Sequence, residues 1–294
     1  MCARTRMILL VLMLTGWVCS LVGAADVGLL VLHTDKNQTH CTCAQQTVRA
    51  YAEQYGYAYR LVEELMSVEA MAAAADANHR DKPMHVKFQK YIHVKEELDK
   101  HQMVVLLDCD VVVTNFDIKV EELWAGHTNS STTMMIARDA WSRFGYVPFN
   151  TGVIVFKRGE KELGNEEAQD GWLDHLLDDI CALQEADHQT KSGKHWGSRH
   201  GLKDQPRMTE ELFDRGEVVI PVPRNWENTT ERHQHVSIVP QRVMNSFLRS
   251  GKMYKNLDPE SAKWRQGDWL AHVTGMTHSS QRLGIMKDVL KLKC

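Results

Sequence analysis

Apolar residues in this chain fall into two alternating rhythms, short unbroken runs and longer stretches with helical spacing. The runs Val27 to Leu32, Tyr57 to Val62, Met103 to Leu107, Thr133 to Ala137, Gly152 to Phe156 and Val218 to Val222 predict strands. A continuous apolar run bounded by polar residues suits a strand buried on both faces. The stretches Ala44 to Tyr55, His85 to Leu98 and Gly171 to Leu183 predict helices. Strand and helix taken in turn give an α/β domain, with crossover helices joining strands into a central, mostly parallel sheet. In such a sheet ligands gather beyond the carboxyl ends of the strands, so residues that close a strand are where chemistry is sought first.

The stretch from Gln184 to Arg207 breaks both rhythms. It is polar, carries Gly193, Gly197 and Gly201, and reads as a mobile loop. Its histidines, His188, His195 and His200, and the nearby His175 have no ligand spacing, so they are not read as a metal site. No internal repeat or Pro-rich linker divides the rest, which leaves residues 26–294 as one domain.

The first 25 residues differ from all that follows: Arg4 and Arg6 precede a run without charge up to Asp26. This is a targeting segment, either a signal peptide with its small residues at Gly23, Ala24 and Ala25 or a signal anchor. The strand at Val27 follows at once, without the stalk of an anchored enzyme, and that favours cleavage. Either way the body is expected in the lumen of the secretory pathway, and the acceptor sequons at Asn37, Asn129 and Asn228 agree with that.

Of the seven cysteines, Cys2 and Cys19 fall in the leader, and Cys41, Cys43, Cys109, Cys181 and Cys294 remain as an odd set. At least one thiol must stay out of an internal disulfide, and Cys109, at the end of an apolar strand, is the expected one. Cys41 and Cys43 lack the second pair that a zinc site needs. A net charge of −3 with dispersed basic residues gives no reason to expect a nucleic-acid partner, and 43% hydrophobic residues suit a folded core.

The clearest chemistry lies in MVVLLDCDVVVTN, residues 103 to 115, a buried strand that ends in two carboxylates spaced i, i+2. In extended chain Asp108 and Asp110 share a face and Cys109 takes the other. Two acids so close repel unless a cation sits between them, and a hard divalent ion such as Mn²⁺ or Mg²⁺ can also bridge diphosphate oxygens. Near the other end, GDWLAHVTGM, residues 267 to 276, offers His272 as a third ligand and Gly275 as backbone open to a phosphate. A polar turn is the plain alternative for the acids, and a hydrogen-bonded core histidine for His272. A phosphatase of the haloacid-dehalogenase type also places such acids after a strand, but there they open the domain and are followed by Gly-Thr or similar.

LLDCDVVVTN, FNTGVIVFKRG, KDQ at 203 to 205, VSIVPQRVMNSF and GDWLAHVTGM, in this order and spacing, resemble glycosyltransferase family 34 over roughly residues 85 to 276. The resemblance implies a GT-A nucleotide-diphospho-sugar transferase fold, with Mn²⁺ or Mg²⁺ as cofactor and a UDP- or GDP-linked sugar as donor. It further implies retaining transfer of galactose, mannose or xylose to an oligosaccharide, polysaccharide or glycoprotein glycan in the Golgi lumen. It assigns Asp108, Asp110 and His272 to the metal, and Lys87, Asn150 and Gly275 to the donor or the sugar pocket. Gln205 falls under the anomeric carbon, and Asp204 beside it holds the donor sugar. Asp204 and Gln205 equally suit the start of a helix running through Phe213. The pattern departs from the family at Met276 and in the missing stem, and the basic residue on the β-phosphate is left open among Arg282, Lys287 and Lys291. Glycosyltransferase family 8 shares the acids and the late histidine but continues differently. A secreted glycan-binding protein that keeps the fold without catalysis is the remaining alternative.

Overall fold

The computed structural model describes residues 27–33, 38–64, 86–139, 149–159, 171–182, 204–218, 229–248, 260–274 and 278–294, with side chains from Phe88 onward in the third stretch. The leader, the sequons at Asn37 and Asn228, the histidines at 188, 195 and 200, Gly275 and residues 219–222 lie outside these. In chain order the first elements are β1 (Val27–Leu32), α1 (Thr39–Tyr55), β2 (Ala58–Val62), α2 (Val86–Leu98), β3 (Met103–Asp108), β4 (Val111–Val113) and α3 (Val120–His127). Then come β5 (Met134–Arg138), β6 (Phe149–Lys157), α4 (Trp172–Ala182), α5 (Asp204–Asp214), β7 (Glu231–Arg232) and β8 (Val236–Val239). The last are α6 (Gln241–Met244), β9 (Ser246–Phe247), β10 (Leu270–His272) and α7 (Ser279–Asp288).

Seven strands pair in the order β2-β1-β3-β6-β5-β8-β7. β2, β1, β3, β5 and β8 run one way and β6 and β7 the other, so the sheet is mostly parallel, as the apolar rhythm predicts. β1 and β3 are apolar on both faces because both are covered. Leu30, Val104 and Leu106 join a core with Phe88, Tyr91, Val94 and Leu98 of α2, Leu176, Leu177 and Ile180 of α4, and Met208 and Leu212 of α5. Val27, Leu29, Val31, Val105 and Leu107 meet Val48, Tyr51 and Ala52 of α1 and Trp124 of α3 on the opposite side. The spacing of Phe88, Tyr91, Val94 and Leu98 puts them on one helical face, which is why α2 lies flat on the sheet. α1 stops where Gly56 takes a left-handed φ of 69° and its N–H bonds to the Ala52 carbonyl, a conformation that costs glycine little.

A second, three-stranded sheet, β4-β10-β9, brings the ends of the domain together. β10 runs antiparallel to β4 with His272 opposite Val111, and the Val273 N–H donates to the Asp110 carbonyl at 3.0 Å. α7 then packs against α1.

The cysteines depart from expectation. Cys109 is not the spare thiol: it pairs with Cys41 of α1, Cys43 pairs with Cys294, and Cys181 is the buried cysteine outside both disulfides. Cys109 and Asp110 form a turn rather than extended chain, and Cys109 lies where the first turn of α1 arrives. Among the described residues no helix is long and apolar enough to cross a membrane.

Candidate metal centre and active site

Asp108 closes β3, and Asp110 ends the tight turn into β4. Because β4 immediately pairs with β10, the register delivers His272 to the same place. The ligand atoms of Asp108, Asp110 and His272 all lie within 4.8 Å of one another. Donors each ~2.1 to 2.4 Å from one ion stand about 3 to 5 Å apart, so this set of two carboxylates and an imidazole fits a single hard divalent cation. The cluster of His40, Cys41 and Cys109 does not, because both sulfurs are committed to a disulfide.

Each ligand is held from behind. His272 Nε2 lies 3.1 Å from Asp110 Oδ1 and its Nδ1 lies 2.8 Å from Asn245 Oδ1. Asn245 Nδ2 donates to Asn150 Oδ1 at 2.6 Å, and the Gly152 N–H donates to that same oxygen at 2.9 Å. β6 is antiparallel to β3, so its amino-terminal end, where Asn150, Thr151 and Gly152 sit, lies beside the carboxyl end of β3. Gly152 is required by space: a Cβ there would come within 2.4 Å of His272 Cε1.

Two cations balance the acids. Lys90 of α2 is buried, donates to the Thr151 carbonyl at 3.0 Å, pairs with Asp204 and lies 3.6 Å from Asp108 Oδ1. The Thr151 hydroxyl donates to Asp204 Oδ2 at 2.7 Å, which ties the start of α5 to the same edge. Burial works against the Lys90 ammonium, but Asp108 and Asp204 outweigh it and hold it charged beyond the ordinary lysine range. Arg282 of α7 donates from Nη1 to Asp110 Oδ2 at 2.8 Å and lies 3.1 Å from His40 Nε2, while His40 Nδ1 reaches the Ser279 hydroxyl at 2.7 Å.

The two acids are pulled apart. Burial pushes the Asp110 carboxyl up, but His272, Arg282 and His40 together hold it below the usual carboxylate range. Burial by the surrounding protein raises the Asp108 carboxyl, with Asp110 and Asp204 adding to it against Lys90. Its side chain is still 42% exposed, so Asp108 forms the open rim of the centre and Asp110 its floor.

Lys90, three positions after Lys87, is an α2 lysine at the centre; Lys87 lies in the helix but outside the side chains described. Gln205 stands at the first turn of α5 and donates from Nε2 to Asp139 Oδ2 at 2.5 Å, just past β5. Asn150 is buried with its oxygen committed to Gly152 and Asn245. Lys287 and Lys291 are exposed, which leaves Arg282 as the basic residue of this set that reaches the acids. Lys90, Asn245, His40 and His33 are the residues of the site that sequence reasoning misses. His33 follows β1 beside the Asp108 end of β3, is buried, and has no hydrogen-bond partner on either ring nitrogen among the described residues.

Among solved structures, a glycosyltransferase involved in the glycosylation of the major capsid of PBCV-1 aligns with 89% of this chain and 98% of its own at a TM-score of 0.56 and 16% identity. The chain has a GT-A fold. Two more distant neighbours are the galactosyltransferase LgtC in complex with donor and acceptor sugar analogs and mouse xyloside xylosyltransferase 1 in its apo form. LgtC aligns with 91% of this chain and 96% of its own, at 12% identity and a TM-score of 0.43. The mouse protein aligns with 85% of this chain and 97% of its own, at 11% identity and a TM-score of 0.43. No family model and no curated protein matches the sequence. The candidate metal ligands of this GT-A domain stand at the carboxyl edge of its central sheet, where open α/β sheets gather their ligands.

Proposed function

We propose that the chain is a metal-dependent, retaining glycosyltransferase that moves a hexose or pentose from a nucleotide diphosphate sugar to a glycan acceptor in the secretory pathway. The observation that carries this reading is the meeting of Asp108, Asp110 and His272 at one point of a GT-A fold, although Asp110 and His272 stand 162 residues apart in the chain. The order of motifs resembling family 34 supports the same chemistry and the choice among galactose, mannose and xylose.

Asp108, Asp110 and His272 would hold Mn²⁺ or Mg²⁺, which when bound supplies Lewis-acid stabilisation of the charge growing on the diphosphate as its bond to the sugar breaks. Arg282 pairs with Asp110 and favours its ionised form. Arg282, on the same carboxylate, is placed to exchange that contact for a diphosphate oxygen. Lys90 pairs with Asp204 at the start of α5, where the carboxylate can accept from sugar hydroxyls. Gln205, beside it, stabilises positive charge on the sugar ring. In the front-face displacement the anomeric carbon leaves its phosphate oxygen and joins the acceptor oxygen. The acceptor's proton passes to the departing phosphate. The nitrogens of His33, buried at the neighbouring strand end and without a partner among the described residues, give a nucleoside a polar group to bond.

A panel of UDP- and GDP-sugars with and without Mn²⁺ tests this reading. Mn²⁺-dependent release of UDP or GDP is expected from one donor. Glycan binding without turnover of any donor would make the chain a binding module, and phosphomonoester cleavage would make it a phosphatase.

A further inference from the structure

Two side chains behind His272 have no counterpart in the proposed chemistry, yet they decide which of its nitrogens can meet a cation. An amide or an imidazole has no fixed sense by shape alone, since an amide's oxygen and nitrogen can exchange places and an imidazole's hydrogen can sit on either ring nitrogen. Here the chain of contacts starts from a group whose sense is fixed. The Gly152 main-chain N–H can only donate, so the Asn150 atom 2.9 Å from it is an oxygen. The atom of Asn245 that lies 2.6 Å from that oxygen must then be the donating nitrogen. Its remaining side-chain atom is an oxygen, which can only accept, so the hydrogen between Asn245 and His272 sits on Nδ1, 2.8 Å away. A neutral imidazole with its hydrogen on Nδ1 carries the lone pair on Nε2, the nitrogen that faces Asp110 and the metal position.

We propose that Asn245, oriented by Asn150 and the Gly152 N–H, is a positioning residue that fixes His272 with Nδ1 protonated and Nε2 turned to the cation. The inference rests on the metal-centre reading above and deepens it. Burial makes the relay decisive: Asn245 is 0% exposed, and Asn150, Gly152 and His272 are buried with it. No solvent competes for Nδ1 at such a position, and the opposite tautomer would set two lone pairs against each other across a buried contact. The ring cannot slide away either, because it lies over the bare Cα of Gly152 and meets Phe247 edge-on at 6.0 Å between centroids. Residues of this kind, one step behind a metal ligand, commonly change metal affinity ~10- to 100-fold when removed.

The test uses the full chain with Asn245→Leu, which keeps approximate volume, and Asn245→Ala, which removes it. Mn²⁺ affinity is read by electron paramagnetic resonance of the free ion, with circular dichroism to show that each variant is folded. Both variants should bind Mn²⁺ about 10- to 100-fold more weakly. In ¹¹³Cd-loaded protein with ¹⁵N-histidine, the wild type should show one-bond coupling to Nε2 of His272, assigned by its loss in His272→Gln. Asn150→Asp keeps an accepting oxygen for the Gly152 N–H and for Asn245 Nδ2, so it should retain the Nε2 coupling. Coupling through Nδ1 in the wild type overturns the inference even if no Asn245 variant folds. So does a folded Asn245→Leu with Mn²⁺ affinity within about twofold of wild type. A wild type that binds neither Mn²⁺ nor Cd²⁺ overturns the metal-centre reading, and this inference falls with it.

Discussion

Arg282 Nη1 lies 2.8 Å from Asp110 Oδ2, on the carboxylate whose other oxygen faces His272. One acid is thereby gripped by a guanidinium from α7 and an imidazole from β10, and a cation arriving at the centre competes with the first. Arg282→Ala should therefore separate two affinities that most active-site substitutions move together. Mn²⁺ alone should bind as tightly as in wild type or more so, because the competing positive charge is gone. UDP or GDP in the presence of Mn²⁺ should bind about tenfold more weakly, for want of a charge-assisted bond to the diphosphate. Calorimetric titration of each ligand checks this, and an unchanged nucleotide affinity would remove Arg282 from the diphosphate site.

Lys90 contributes to the fold as well as to the site. Its ammonium is buried between Asp204, Asp108 and the Thr151 carbonyl, and Lys90→Met leaves that group of acids without its internal counter-charge. Breaking a buried pair from one side costs roughly 3 to 5 kcal/mol, so the variant should melt well below wild type. The sign with pH follows from the direction of the shift. A lysine in the unfolded chain titrates near 10.5 and the folded one higher, so the folded state binds the proton more tightly. The stabilisation is complete at neutral pH and fades only as pH rises above that value toward the folded one. Thermal melts at pH 7 and in strong alkali should show the gap between wild type and Lys90→Met narrowing at the alkaline end.

Gly152→Ala is the smallest change that should move His272, the proposed third metal ligand. The added methyl would meet His272 Cε1 at 2.4 Å and Asn150 Oδ1 at 2.9 Å, and both are buried, so the imidazole must shift. Mn²⁺ affinity should fall ~10- to 100-fold while the far-ultraviolet circular dichroism stays native. An alanine variant that binds Mn²⁺ like the wild type would show that the ring has room the structure does not display.

Gln205 makes a different demand, since it bonds to Asp139 and not to a metal ligand. Its proposed work falls in the transition state, so Gln205→Ala should lower kcat about 100-fold with nucleotide affinity nearly intact. A steady-state comparison of kcat with the inhibition constant of UDP or GDP decides it. An unchanged rate would end that role.

How far the sequence carries depends on whether a feature is local. Asp108 and Asp110 are legible as two acids spaced i, i+2 at the end of a buried strand, although they converge through a turn at Cys109 and Asp110 and not by strand alternation. His272 is legible only in company, because its partner strand β4 is three residues long and no period announces it. Lys90 is not legible: a lysine within VKFQKYIHVKEEL reads as solvated, and only the amino-terminal end of antiparallel β6 beneath it supplies the Thr151 carbonyl and the link to Asp204. Asn245 sits between a four-residue helix and a two-residue strand, where sequence offers no pattern at all. Cys109 is misread as a spare thiol for the same reason. Its neighbour across the sheet edge comes from the packing of α1, which cysteine counting cannot see.

That packing leads to the last prediction. Cys109 stands between the two acids, and its bond to Cys41 fastens the turn that carries Asp110 to the first turn of α1. The second bond, Cys43 to Cys294, leaves the same helix but holds the carboxyl terminus instead. The two bridges close segments of 68 and 251 residues. In the chain-entropy account they are worth about 4.4 and about 5.5 kcal/mol, too close for stability alone to tell them apart. Metal affinity can. The double variant Cys41→Ala/Cys109→Ala should lose several-fold in Mn²⁺ affinity along with stability, because Asp110 then depends on β4 and Arg282 to stay in place. Cys43→Ala/Cys294→Ala should lose comparable stability with Mn²⁺ affinity little changed. Equal effects of the two pairs on Mn²⁺ binding would mean that the turn between Asp108 and Asp110 holds its shape without the sulfur bridge, through the pairing of β4 with β10 alone.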